Sequence, residues 1–156
     1  MDFRVPIFHA LHERRCEEAY ATGKDALDPD RWDGASIAEI LSSVFPFLVE
    51  ILHTNESLER AIYQRMLTDE QMRERSMKLS RYVVVELSAL LLDRVEEIKH
   101  PDPPTAVAFA LVQALAMLVH HYTVGTRDIV PVPLSDEQVA RELSNSCLGY
   151  LGVSRF

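Results

Sequence analysis

The sequence is poor in the residue groupings that most often carry chemistry. Its five glycines stand singly, so neither a glycine-rich phosphate cradle nor a GxSxG nucleophile turn is present. Cys16 and Cys147 are its two cysteines. They are far apart, match no CxxC metal or redox motif and no disulfide framework, and read as reduced thiols of a cytoplasmic protein. No HExxH or Cys/His spacing appears, although six histidines are present, so no metal is expected. No Asp/Glu pair is placed on an apolar helix face for acid–base work. The sequence therefore predicts no enzyme and no cofactor. Lysine and arginine never form a dense run, and the formal charge is −8. Phosphate contacts dominate nucleic-acid affinity, so these residues are not expected to grip DNA by themselves. The opening MDFRVPIFHALHERRC carries charge too early and too often for a signal peptide.

What the chain does have is apolar content and helix punctuation. Hydrophobic residues make up 47% of 156 positions, enough for a core in one domain spanning 1–156. No alternating run reaches strand length, since the prolines of IVPVP break the one candidate. SIAE (Ser36–Glu39), TDEQ (Thr68–Gln71) and SDEQ (Ser135–Gln138) each have the form of a capping box, in which a hydroxyl and an acid or amide satisfy free backbone N–H groups. Asp102 and Pro103 suit a cap and first helical position. Gly23 and Gly152 suit helix ends. The expectation is an all-α antiparallel bundle of about six helices, near 6–22, 36–53, 56–67, 69–98, 103–123 and 135–151, with a kink at Pro46.

The fifth of these is unusual. From Pro104 to Tyr122 no residue is formally charged if the two histidines are neutral. About fifteen apolar residues interrupted by Gln113 fall short of the roughly twenty that a membrane span needs, so no membrane contact is expected. One side carries Leu111, Val112, Leu115, Leu118 and Val119, with Phe109 at its margin. The other carries Ala106, Ala110 and Ala114 at four-residue spacing, with Gln113, Met117, His120 and His121. Neither side suits water. The bulky side is expected inside the chain and the alanine side against a partner; the alternative is a central helix buried all round within one chain. The last helix, with Val139, Leu143 and Cys147 in an apolar stripe, is placed beside it, so that two helices from each of two copies form a four-helix bundle about a two-fold axis.

The strings SIAEILSSVFPFLVEIL, SLERAIYQRML, LLLDRVEEIKHPDPPTAVAFALVQALAMLVHH and PLSDEQVARELSNSCLGYLGV, in this order, resemble the C-terminal domain of TetR-type bacterial transcriptional regulators. The likeness covers nearly the whole chain, including PIFHALHERRCEEA, which is similar to the helix linking that family's two domains. The motifs are diffuse, without a catalytic signature. The resemblance implies a homodimer formed through the last two helices and a small-molecule effector held among the others. It also implies a helix-turn-helix head of about fifty residues that meets DNA; the sequence begins just before the connecting helix, so DNA contact is expected only through that missing part. A pocket is expected between the second, third, fourth and fifth helices. Its candidate walls are Phe45, Leu48, Met66, Val83, Leu87 and Phe109, with His12 and Tyr63 as polar contacts, though core packing alone explains each of the apolar six. The competing reading is a stand-alone interaction module, without its own ligand, that pairs with a full-length regulator.

Overall fold

The computed structural model describes residues 3–154. Among them the chain is all-helical, with six α-helices, three short 3-10 turns and no strand. The helices are α1 (Arg4–Ala26), α2 (Ile37–Thr54), α3 (Glu56–Met66), α4 (Glu70–Leu92), α5 (Pro103–Thr123) and α6 (Asp136–Leu151).

Local side-chain chemistry sets most of the starts. At α2 the Glu39 N–H donates to Ser36 Oγ at 3.2 Å and the Ser36 N–H donates to the Glu39 carboxylate at 2.8 Å. Ser135 and Gln138 repeat the pattern at α6, with bonds of 3.2 and 2.8 Å. At α4 the box is displaced by one residue. Asp69 is the cap, accepting from the Met72 N–H at 3.1 Å, while the Thr68 hydroxyl donates back to the Arg65 carbonyl. A carboxylate is as good a cap as a hydroxyl and gains from the positive end of the helix dipole. Asp102 caps α5 ahead of Pro103.

Two helix ends depart from expectation, each for a tertiary reason. α1 runs through Gly23, where the ring of Tyr82 on α4 comes so close that a β-carbon would sit 3.1 Å from its Cε1. That glycine serves a close approach of two helices instead of a stop. α4 ends at Leu92 instead of continuing towards residue 98. Beyond it Arg94 leaves helical geometry, and its guanidinium donates to the carbonyls of Trp32, Ala35 and Leu90.

α6 lies between α2 and α5; α5 also packs on α3 and α4, and α1 leans on α4. The buried side chains form a continuous core in which Phe45, Leu87, Leu91, Leu111, Leu118 and Tyr122 are almost fully enclosed. Each such side chain contributes about 1.5–3 kcal/mol through apolar burial. The segment read as too short to span a membrane belongs to a helix of 21 residues, and both it and α2 are long and apolar enough to cross a bilayer by length and composition. In the bundle the two pack against each other and against α6.

The end of α6 is tied to the α4–α5 connection: the N–H of Lys99 donates to the Leu151 carbonyl at 3.0 Å. Gly152 makes this possible with φ +68°, and a β-carbon there would meet Lys99 Cβ at 3.0 Å. Gly152→Ala is expected to cost about 1–2 kcal/mol, from the left-handed backbone and the contact together. Urea unfolding followed by far-UV circular dichroism measures this; an unchanged midpoint would show that the turn re-forms without the glycine.

Candidate functional site

Two regions bear on function: the outer surface of the α5–α6 pair and the seam where α1 meets α4. At the first, the structure turns α5 differently from the sequence expectation. Ala106, Ala110 and Ala114 are 0%, 6% and 5% exposed within the single chain, so the alanine lane is not an outer surface. It seats the chain's own α6, with Cys147 Sγ 3.8 Å from the Ala110 carbonyl. Val139, Leu143 and Cys147 are buried in the same packing, and burial pushes the Cys147 thiol up to about 11. His121 is buried as well. These seven were expected to face a partner. The helical wheel separates two unlike faces but does not say which one the chain keeps. Small side chains let α5 and α6 approach closely, and that contact is made within the chain.

The opposite side of α5 is the one left open. Thr105, Ala108, Phe109, Val112, Gln113, Ala116, Met117 and His120 are exposed in a stripe at three- and four-residue spacing, and none carries a formal charge. Phe109 and Val112, assigned from the sequence to the core side, are half exposed, and Tyr150 of α6 extends the surface by packing at a tilt against Phe109 with ring centroids 5.6 Å apart. Gln113, Met117 and His120 lie on this outer side. A contiguous uncharged apolar strip on one helix is a feature that soluble chains cover. A second exposed apolar line, Phe3 just before α1 with Ile7 and Leu11 on it, is flanked by the charged Arg4 and Arg14.

The expected pocket residues are not gathered around one cavity. Phe45 and Leu87 are core residues with no exposed surface, and Phe109 is on the outside. Leu48, Met66 and Val83 are half-buried. Tyr63 reaches across to His120, with Oη 3.4 Å from its Nε2. His12 is committed to the α1–α4 seam. Two open grooves lie elsewhere. One groove of about 750 Å³ is lined by Asp30, Asp33, Asp93, Arg94, Glu96 and Glu97. Another of about 680 Å³ runs between α2 and α6 past Pro46, His53, Asp136 and Leu148.

The seam holds an ordered polar network. His12 is 1% exposed. The Arg75 guanidinium, which has no lone pair to accept with, lies 3.1 Å from His12 Nδ1. Nδ1 is therefore the acceptor, and the neutral ring carries its proton on Nε2, which donates to Ser76 Oγ at 2.9 Å and faces Cys16 Sγ at 3.6 Å. Burial, then Arg75 and His9, hold the His12 pKa below the ordinary histidine value. Burial raises the Cys16 thiol. One turn earlier, His9 Nε2 meets the Asp69 carboxylate at 2.7 Å. Bonds from the Met72 backbone and from His9 keep Asp69 below the usual carboxylate range.

A second network joins α2, α3, α5 and α6. Tyr122 donates to Asp136 at 2.5 Å, and Asp136 also meets His53 Nδ1 at 2.8 Å. Burial and the Asp136 contact raise the Tyr122 phenol far above its usual range. Arg60 donates to the Tyr122 carbonyl at 3.2 Å, and Arg60 and Arg127 share Glu56. Apart from Glu56 and Arg60, one turn apart on α3, these partners stand far apart in sequence, so periodicity gave no sign of them. The one legible hint was a histidine or tyrosine at a buried helical position.

Comparisons with protein-family models, with curated proteins and with solved structures find no match to this chain.

Proposed function

We propose that the chain is the effector-sensing and dimerisation domain of a TetR-type bacterial transcriptional regulator, working in the cytoplasm as a homodimer and not as an enzyme. The observation that carries this reading is the uncharged outer stripe of α5, continued by Tyr150 on α6. Pairing two such surfaces about a two-fold axis would sandwich α5, with its alanine lane against its own α6 and its Phe109–Val112–Met117 side against a twin. DNA contact belongs, in this reading, to a helix-turn-helix that these residues do not supply. A small apolar or aromatic effector would act by favouring one arrangement of α1 over another, to the extent of its differential affinity for the two.

The filled interior favours a second reading. Phe45 and Leu87 are fully enclosed and His12 is already bonded to Ser76 and Arg75, which suits an interaction module that pairs with a full-length regulator and has no ligand of its own. A thermal-shift screen against apolar and aromatic metabolites, with sedimentation velocity at micromolar concentration, separates the two. A dimer with a reproducible ligand-induced rise in melting temperature supports the sensor. A dimer that no compound stabilises supports the module, and a monomer at all concentrations overturns the homodimeric sensor.

A further inference from the structure

We propose that the N-terminal half of α1 is a proton-operated latch, closed on α4 through neutral His12 and released when His12 takes up a proton. This stands apart from the dimer reading, because it concerns a different helix pair and holds whatever covers α5.

The latch follows from what holds α1 down. Of the residues along α1 only His12 and Cys16 are buried outright. The first half of the helix meets α4 through polar groups: His9 on Asp69, and His12 on Arg75 and Ser76. The second half is held differently. Tyr20 packs edge-on to Tyr82 at 5.2 Å, Gly23 lies against the same ring, Trp32 Nε1 donates to the Ala26 carbonyl at 2.8 Å, and Leu27 is buried. The contacts of the second half are aromatic, apolar or to backbone, and only the first half turns on a histidine. The fold thus has a fixed end and a releasable one.

Protonation at Nδ1 would turn the acceptor of the Arg75 bond into a donor facing a donor. It would also place an imidazolium 3.1 Å from a guanidinium, inside a contact that excludes water. The other groups facing the ring do not offset this. From α4, Asp69 favours the charged form but is already engaged by His9. From α1, His9 adds a second potential positive charge, and Cys16 is held as the neutral thiol. From α3, Glu59 lies near Cys16 but is paired with Arg15 at 3.0 Å. His9 Nδ1 is buried without a hydrogen-bond partner.

The sign follows from linkage. Detached, His12 titrates near the ordinary value of about 6.5; seated, it titrates lower. The detached state therefore binds more protons between those two values. Attachment is complete above about 6.5 and weakens as pH falls through it towards the seated value.

Native-state hydrogen exchange of the intact chain, corrected for intrinsic rates, reads this directly. The opening equilibrium for amides of residues 8–16 is expected to rise up to about tenfold between pH 7.5 and 5.5, one proton's worth, while residues 20–26 stay constant. His12→Gln, whose amide can still accept from Arg75 and donate to Ser76, should abolish the rise. A flat response in the parent chain, or the same rise in H12Q, overturns the latch. Should H12Q fail to fold, the ring signals of His12 in the parent chain decide. A midpoint below 6.5 with an Nε2–H tautomer upholds the proposal, and a midpoint at or above 6.5 overturns it.

Discussion

If the parent chain pairs as proposed, a chain carrying Val112→Glu is expected to sediment as a folded monomer at concentrations where the parent chain dimerises. Val112 is half exposed in the middle of the uncharged stripe of α5. In a two-fold interface the same patch meets itself, so one substitution brings two carboxylates into a surface that pairing would strip of water. Like charges brought together across an interface cost several kcal/mol. At about 4 kcal/mol the dissociation constant rises roughly a thousandfold, enough to move a micromolar dimer to monomer. The fold should survive, because the new carboxylate of the lone chain points to solvent; the melting temperature of the monomer is the control. Ala110→Glu makes the contrast. That residue is 6% exposed and packs near Cys147 of the same chain, so a carboxylate there should unfold the protein outright instead of separating two copies. If Val112→Glu leaves a clean dimer, the outer face of α5 is not the contact.

The contrast between Val112 and Ala110 also shows where the sequence stopped being legible. Helix starts were readable because their chemistry is local: Ser36 with Glu39 and Ser135 with Gln138 act across three residues. The all-helical class and six helices followed from the same signals and from apolar periodicity. The one-residue shift at Asp69 came from two adjacent residues that can both cap. The orientation of α5 was not readable. Its two faces differ, but both lack charge, and only the position of α6 decides which is covered. The pocket residues were ambiguous for a related reason: an apolar side chain at a buried helical position reads the same whether it fills a core, as Phe45 and Leu87 do, or lines a space. His12 stood out in the sequence as a histidine, yet its meaning rests on Arg75 and Ser76, more than sixty residues away on another helix.

Arg94 is the extreme case of a residue whose role the sequence hides, and its loss should be costly. In sequence it sits in LLLDRVEE, near the end of the helix expected at 69–98. In the fold it ends that helix and draws together two backbone segments, donating to carbonyls of Trp32 and Ala35 in one turn and, at 2.7 Å, to Leu90. Hydrogen bonds from a charged donor are worth roughly 1.5–3 kcal/mol each when made, and their acceptors regain part of that only if water can enter. The corner opens onto the groove of about 750 Å³, so water can reach some of the freed carbonyls. Arg94→Met, which keeps the alkyl bulk and removes the fork of donors, is therefore expected to cost about 3 kcal/mol, near the loss of two such bonds after partial rehydration. Arg94→Lys should recover no more than about a third of it, because a single ammonium does not span three carbonyls as a planar guanidinium does. The start of α2 depends on the same corner: the Ile37 N–H donates to the Glu97 carboxylate at 3.1 Å. Trp32 supplies the readout as the chain's single tryptophan. Urea unfolding of Arg94→Met by Trp32 fluorescence should show a lowered midpoint together with a red-shifted native spectrum, as the indole loosens from the Ala26 carbonyl. A loss below about 1 kcal/mol with an unchanged spectrum would mean that the three carbonyls are held by their own helices and turns, and that Arg94 follows the corner instead of forming it.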